Sequence, residues 1–252
     1  MDLVAPPLVS DLGRCAILLD IDGTILDFAP SPLQVRVPED LKRTLTRLGQ
    51  LTGGAVALVS GRSIGDIDRI FSPLQLAAIG VHGAQMRLDG SGPVQTRVAP
   101  LSETLKRKLA KVADLAPGIL VEDKGYSLAL HYRLVPAKAH EVVSAIGGIC
   151  ESAPQEAVEI LPGKFVVDIK PAGINKGDAV VELMRHAPFA GRQPIFIGDD
   201  TTDLSVFDII PKFRGRAYSV GGLTADTDGH FETPEMVRSW LARIAAESLG
   251  AA

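Results

Sequence analysis

Short apolar runs alternate along this chain with longer stretches whose apolar positions recur at helical spacing, and few architectures accept that order. Residues 16–19, 55–59, 77–81 and 194–197 are continuous Ala, Val, Ile or Leu runs, apart from Gly80, Pro194 and Phe196. Such runs read as parallel strands buried on both faces by crossover helices. Between the first two, Pro38 opens a pattern in which Leu41, Leu45, Leu48 and Leu51 follow one another at three- and four-residue steps, and Gly53-Gly54 stops it. The class is α/β with a mostly parallel sheet. From Met86 to Lys170 the pattern changes: Tyr126, Leu128, Leu130 and Tyr132 alternate with Ser127, Ala129, His131 and Arg133, the period of a half-exposed antiparallel strand. A second, inserted domain over 87–170 is expected, within a first domain made of 1–86 and 171–252. Its borders fall near Gly90-Ser91-Gly92-Pro93 and Pro171-Ala172-Gly173.

Charge and cysteine content remove several functions. The 252 residues carry 26 Lys and Arg against 30 Asp and Glu, a net charge of −4, so no basic field exists to hold a nucleic-acid backbone. The two cysteines, Cys15 and Cys150, form neither a CxxC metal pair nor a disulfide framework. No apolar run reaches the ~20 residues of a membrane span, and residues 1–14 lack the basic start and apolar stretch of a secretory leader. A cytoplasmic, monomeric protein acting on a small molecule is expected, with neither membrane nor nucleic acid as partner.

In parallel sheets the ligand crevice lies beyond the carboxyl ends of the strands, and four polar clusters stand at or near such positions. The first is Asp20-Ile21-Asp22-Gly23-Thr24. Its paired carboxylates suit either a strand-capping turn or a hard divalent cation such as Mg²⁺. Gly198-Asp199-Asp200-Thr201-Thr202-Asp203 adds three acids at another strand end; one helix cap needs only one of them, so metal binding accounts for the set better. Ser60-Gly61-Arg62-Ser63 offers a hydroxyl and amides to a phosphate, or a simple helix cap. Asn175-Lys176-Gly177-Asp178 offers one ammonium, which alone reads as solvated surface.

Taken in order, Asp20-x-Asp22-Gly-Thr, Ser60, Lys176 and Asp199-Asp200 resemble the four motifs of haloacid dehalogenase-like phosphatases. That resemblance implies a doubly wound core with an inserted α+β cap. It implies Asp20 as nucleophile and Asp22 as general acid and base, the latter protonated near neutrality when it meets the ester oxygen. Mg²⁺ would be held by Asp20, the backbone carbonyl of Asp22 and Asp199, with Asp200 and Asp203 behind them holding waters or orienting Lys176. Ser60 and Lys176 would bind the phosphoryl group. All five acids are thus expected around one ion.

A narrower resemblance extends over most of the chain. Asp20-Ile-Asp-Gly-Thr-Ile-Leu, Pro30-Ser-Pro, Leu58-Val-Ser-Gly-Arg-Ser, Gly80-Val-His-Gly-Ala, Val121-Glu-Asp-Lys-Gly-Tyr, Ala129-Leu-His-Tyr-Arg and Lys170-Pro-Ala-Gly-Ile-Asn-Lys-Gly look like the trehalose-6-phosphate phosphatases. This implies release of phosphate from trehalose 6-phosphate, the last step of trehalose biosynthesis. It also implies sugar contacts from the cap residues Glu122, Lys124 and Asp168, of which the first two otherwise read as a surface salt bridge; Arg62 and His82 of the core read either as substrate contacts or as ties between loops. Asp168 replaces the family's usual glutamate, and Leu204 stands where the family usually carries glutamate beside the metal. Phosphatases of sucrose-, mannosylglycerate- or glucosylglycerol-phosphate, and a catalytically silent sugar-phosphate-binding module, are the alternative readings; His131 and Arg133 read as exposed strand residues outside the site.

Overall fold

The computed structural model describes residues 11–28, 35–222 and 226–247. The Pro30-Ser31-Pro32 portion of the family resemblance lies outside them. The chain divides into two compact units, one from Met1–Gln95 and Asn175–Ala252, the other from Thr96–Ile174.

The larger unit holds an eight-stranded sheet, of which only Thr96, at the end of the last strand, falls in the smaller unit. Its strands are β1 (Cys15–Leu19), β2 (Val56–Val59), β3 (Ala77–Gly80), β4 (Gln85–Arg87), β5 (Gln95–Thr96), β10 (Gln193–Gly198), β11 (Arg216–Val220) and β12 (Gly229–Phe231), in the order β12-β11-β10-β1-β2-β3-β4-β5. The strands from β12 to β3 pair in parallel. Strand β4 turns back antiparallel on β3, with Ile79 opposite Met86. That pairing keeps residues 85–87 in the large sheet, so the division between the units falls after the expected 86/87 border. At the other end Pro171 still pairs with Val158, which carries the smaller unit past residue 170.

Alternation along β1 explains why it needs cover on both sides. Ile17 and Leu19 enter one apolar layer with α1 (Glu39–Leu51), α2 (Ile64–Phe71) and α7 (Pro234–Glu247). Ala16 and Leu18 enter another, built with α5 (Lys176–Leu183) and α6 (Leu204–Phe207). The doubly wound arrangement expected from the motifs is therefore present. Helix α1 begins one residue after Pro38, whose fixed φ suits a helix entrance, and buries Leu41, Leu45 and Leu48. Helix α7 lays Trp240, Leu241 and Ile244 onto its own core, where Trp240 meets Tyr218 and Phe231 at centroid distances of 6.0 and 5.8 Å.

The smaller unit is a four-stranded antiparallel sheet, β6 (Leu120–Asp123), β7 (Leu128–His131), β9 (Val166–Pro171) and β8 (Val158–Gly163) in spatial order. Helices α3 (Glu103–Ala110) and α4 (Ala139–Glu151) cover one face. There Leu128, Leu130, Val167 and Ile169 meet Leu105, Leu109, Val142 and Ile146. The period-two pattern of the sequence is this inward and outward alternation. Among the described residues no helix is long and apolar enough to cross a membrane.

Trp240 is 3% exposed at the centre of an aromatic cluster, so Trp240→Ala should lower stability by about 3–5 kcal/mol, read from urea unfolding of the whole chain. A loss below about 1 kcal/mol would contradict the packing of α7 on this core.

Candidate active site

The carboxyl edge of the sheet is built by β1 and β10 running side by side. Leu19 pairs with Ile197, and the next amide, Asp20 N–H, donates to the Ile197 carbonyl at 3.0 Å. Asp20 thus leaves the sheet beside Gly198-Asp199. Gly23 then turns the chain with φ +86°, and its lack of a side chain is required twice. A Cβ there would adopt a strained conformation and would lie 2.0 Å from Asp199 Oδ2.

Lys176 is the first residue of α5, whose cap is Asn175 accepting from the Asp178 amide at 2.7 Å. Its side chain runs inward, 3% exposed, and Nζ donates to Asp20 Oδ1 and Asp203 Oδ1, each at 2.7 Å. The solvated-surface reading of a lone lysine does not hold here. Burial alone would drive off the Lys176 proton; the charges and hydrogen bonds of Asp20 and Asp203 outweigh it and hold the ammonium charged. Asp203 is wholly buried, and its second oxygen accepts from the Asp199 and Asp200 amides at 3.1 Å each.

Asp20, Asp199 and Asp203 each place one carboxylate oxygen within 4.8 Å of the others. Burial pushes the Asp20 carboxyl well above the usual range; Lys176 opposes this, while Asp203 and Asp199 reinforce it. Burial and then Asp203 push Asp199 up to about 7. Thr24 Oγ lies 3.2 Å from Asp20 Oδ2 and 3.0 Å from Asp199 Oδ1. One hydroxyl proton satisfies both contacts only when shared, or when one acid is protonated, which the raised values permit. Three carboxylates against one ammonium leave two negative charges when all are ionised. An all-oxygen, doubly negative cluster is the donor set a hard divalent cation takes.

Two of the five acids expected around one ion point elsewhere. Both oxygens of Asp22 face Arg62, Oδ2 to Nε at 2.6 Å and Oδ1 to Nη2 at 2.7 Å. Such a fork holds both Asp22 oxygens against the guanidinium. Asp200 is exposed and caps the turn that follows, accepting from the Thr201 amide at 2.6 Å in a reciprocal box with Asp203. Of the two acids expected behind the metal, Asp203 alone makes the Lys176 contact. Leu204, the other departure from the family pattern, opens α6 and is 37% exposed.

The remaining core residues come from adjoining loops. Ser60 follows β2, and its buried Oγ accepts from the Arg62 amide at 3.2 Å. Arg62 Nη1 also reaches Asp66 Oδ2 at 2.6 Å, so this guanidinium ties the Asp22 loop to α2. Burial opposes the charge of Arg62, and its bonds to Asp22 and Asp66 more than restore it. His82 is buried with φ +52°; its amide donates to the Ser60 carbonyl at 3.1 Å, and a Cβ on Gly61 would lie 2.6 Å from its ring. Thr24 and Asp66 were not assigned from the sequence. Thr24 stood within the quoted motif, whereas Asp66 carries no signal beyond its place one turn past Arg62.

On the smaller unit, Glu122 and Asp168 both stand opposite Ala129, from β6 and β9, and therefore share one face. Lys124 Nζ meets Asp168 Oδ1 at 2.6 Å, so the shorter aspartate still reaches the ammonium.

A carboxyl with a raised value in the folded protein favours folding at low pH, and its contribution is lost as pH rises through about 7 for Asp199. In chelator, Asp199→Asn should be as stable as the parent only below about pH 4, the ordinary carboxylate range, and should melt several °C higher at pH 8. Added Mg²⁺ at pH 8 should raise the parent's melting midpoint and leave the variant's unchanged. Equal responses in thermal melts would contradict a cation site at Asp199.

Comparison with known proteins places the chain in a family. The model of the trehalose-phosphatase family matches residues 18–232. A probable trehalose-phosphate phosphatase of Sinorhizobium fredii is 38% identical over 94% of this chain and 90% of its own length. The trehalose-6-phosphate phosphatase of Escherichia coli is 36% identical over 92% of this chain and 87% of its own. Among solved structures, the C-terminal domain of a Candida albicans trehalose-6-phosphate phosphatase superposes with a TM-score of 0.80 at 21% identity, covering 93% of each chain, a likeness of fold. With the family model spanning most of its length and two relatives above 30% identity, this chain belongs to the trehalose-phosphatase family.

Proposed function

We propose that this protein is a Mg²⁺-dependent phosphatase that converts trehalose 6-phosphate and water to trehalose and inorganic phosphate, as the last step of trehalose biosynthesis. The observation that carries the reading is the buried cluster of Asp20, Asp199, Asp203 and Lys176 at the carboxyl edge of the sheet. The choice of sugar is supported by the stated activity of the bacterial relatives.

In the first step a carboxylate oxygen of Asp20 bonds to phosphorus while the bond from phosphorus to the sugar oxygen breaks. The leaving oxygen takes a proton from Asp22. In the second step Asp22 accepts a proton from water, whose oxygen bonds to phosphorus as the Asp20–phosphorus bond breaks, and phosphate departs. The acid must be loaded for the first step, so the Arg62 fork on Asp22 opens or is shared when the ester oxygen arrives. Arg62 acts in this reading by aiming Asp22, and Ser60 with Lys176 takes up charge on the phosphoryl group. Bound by Asp20 and Asp199, with the Asp22 carbonyl, Mg²⁺ would supply positive charge to the phosphoryl oxygens and keep those acids ionised. Asp203 is the positioning group behind them, since its oxygens are already taken by Lys176 and two amides. Phosphate-monoester hydrolysis calls for accelerations up to about 10²¹, far beyond the roughly 10²- to 10⁴-fold of one acid or base, so gathered charge has to supply most of it.

Glu122, Lys124 and Asp168 supply a sugar-binding face on the smaller unit in this reading, and His82 of the larger unit is read as a substrate contact. A carboxylate accepts and an ammonium donates to vicinal hydroxyls, which is the pairing a disaccharide needs.

Phosphate release with Mg²⁺ from a panel of sugar phosphates tests the proposal. Trehalose 6-phosphate should be preferred over sucrose 6-phosphate and glucosylglycerol phosphate by about 100-fold or more in kcat/KM, and EDTA should abolish turnover. Equal rates across the panel would replace it with a broad sugar phosphatase; no release would leave a binding module. Asp20→Asn should lower kcat by about 10⁴-fold or more. Arg62→Lys, which cannot make the two-pronged contact, should lower kcat by about 10- to 100-fold; an unchanged kcat would remove the aiming role.

A further inference from the structure

His131 belongs to the Ala129-Leu130-His131-Tyr132-Arg133 stretch, whose alternation on β7 buries Leu128 and Leu130 and turns His131 to the opposite face. That face is the one carrying Glu122 and Asp168, because both stand opposite Ala129 and His131 lies two residues further along. A diagonal cross-strand neighbour of this kind is within reach of long side chains. His131 Nε2 indeed lies 2.8 Å from Glu122 Oε2, with the two side chains 21% and 27% exposed. The face therefore carries two linked pairs, Lys124 with Asp168 and His131 with Glu122.

The two pairs differ in what they leave for a ligand. Lys124 and Asp168 are joined by an ion pair at 2.6 Å. In the other pair, the imidazole engages one oxygen of Glu122 and leaves Oε1 as the oxygen it does not engage. Burial pushes the Glu122 carboxyl up, but the bond to His131 and the charge of Lys124 outweigh burial and keep it below the usual range. A half-buried glutamate has three rotatable bonds, and a fixed partner on the neighbouring strand removes much of the entropy cost of holding it in one place.

We propose that His131 is a positioning residue for sugar recognition: by holding Glu122 Oε2 it aims the carboxylate at a sugar hydroxyl, so that substrate affinity, and not the chemical step, depends on it. This rests on the reading that Glu122 contacts the sugar. His131 belongs to the smaller unit, and the phosphoryl chemistry proposed above uses residues of the larger unit alone. Its removal should therefore act on KM alone.

Steady-state kinetics of the full chain with Mg²⁺ and trehalose 6-phosphate test it, the turnover of the unaltered chain testing the substrate reading first. His131→Ala should raise KM about 10-fold with kcat within about 2-fold, the equivalent of one hydrogen bond to a charged group. His131→Gln, whose amide N–H extends to about the place of Nε2, should bring KM back to within about 3-fold of the parent. Glu122→Gln should raise KM by itself, and adding His131→Ala to it should raise KM no further. If Glu122→Gln raises KM and His131→Ala does not, the positioning role is wrong and the sugar reading of Glu122 stands. If Glu122→Gln leaves KM unchanged, the sugar reading fails and this proposal fails with it. Equal falls in kcat for the Ala and Gln variants at unchanged KM would mark His131 as a structural strand residue and overturn the proposal.

Discussion

The site turns on one ammonium group buried among acids. Lys176 has no water to solvate its charge, and the carboxylates of Asp20 and Asp203 replace that water at 2.7 Å each. Without Lys176 the acids would face one another uncompensated in a medium where like charges repel strongly. With it, Asp20 stays in place beside Asp199, and the three acids together form a group that could hold a metal ion. The backbone prepares this arrangement. Parallel pairing of β1 with β10 sets Asp20 beside Asp199, and Gly23 leaves the space that the Asp199 carboxylate fills.

A second set of contacts separates the acids by task. Asp22, two residues after Asp20, is turned away from the cluster by the Arg62 fork, and Arg62 is itself held by Asp66 on α2. Two neighbouring carboxylates thus sit in unlike surroundings, one dry and shared with Lys176, the other half-exposed and paired with a guanidinium. Pairs of this sort are how one protein assigns different proton duties to the same residue type.

Much of this was legible in the sequence, because the signals were local. Continuous apolar runs give buried strands wherever they occur, and the polar residues that follow them have to lie at the sheet edge, so Asp20, Ser60 and Asp199 could be placed before any coordinates. Strands β11 and β12 were not anticipated. Arg216 to Val220 mixes Arg, Tyr and Ser into a short run, and pairing with β10 decides its conformation more than its own composition does. The allocation of acids was legible only in part. Asp200 and Asp203 are equivalent as letters, but the reciprocal capping box gives one to the turn and the other to Lys176. Likewise the Glu122–His131 contact depends on the register of β6 against β7, which no periodicity in either strand reveals.

The central claim is that the phosphoryl group passes through Asp20 before it reaches water. Each in-line displacement at phosphorus inverts its configuration, so two in succession restore it. Hydrolysis in isotopically labelled water of the 6-phosphorothioate analogue of trehalose 6-phosphate, made chiral at phosphorus with a second oxygen isotope, with the configuration of the released thiophosphate then read by nuclear magnetic resonance, is the most direct measurement. Net retention is the outcome this account requires; inversion would mean that water attacks the ester directly, with Asp20 serving some other purpose.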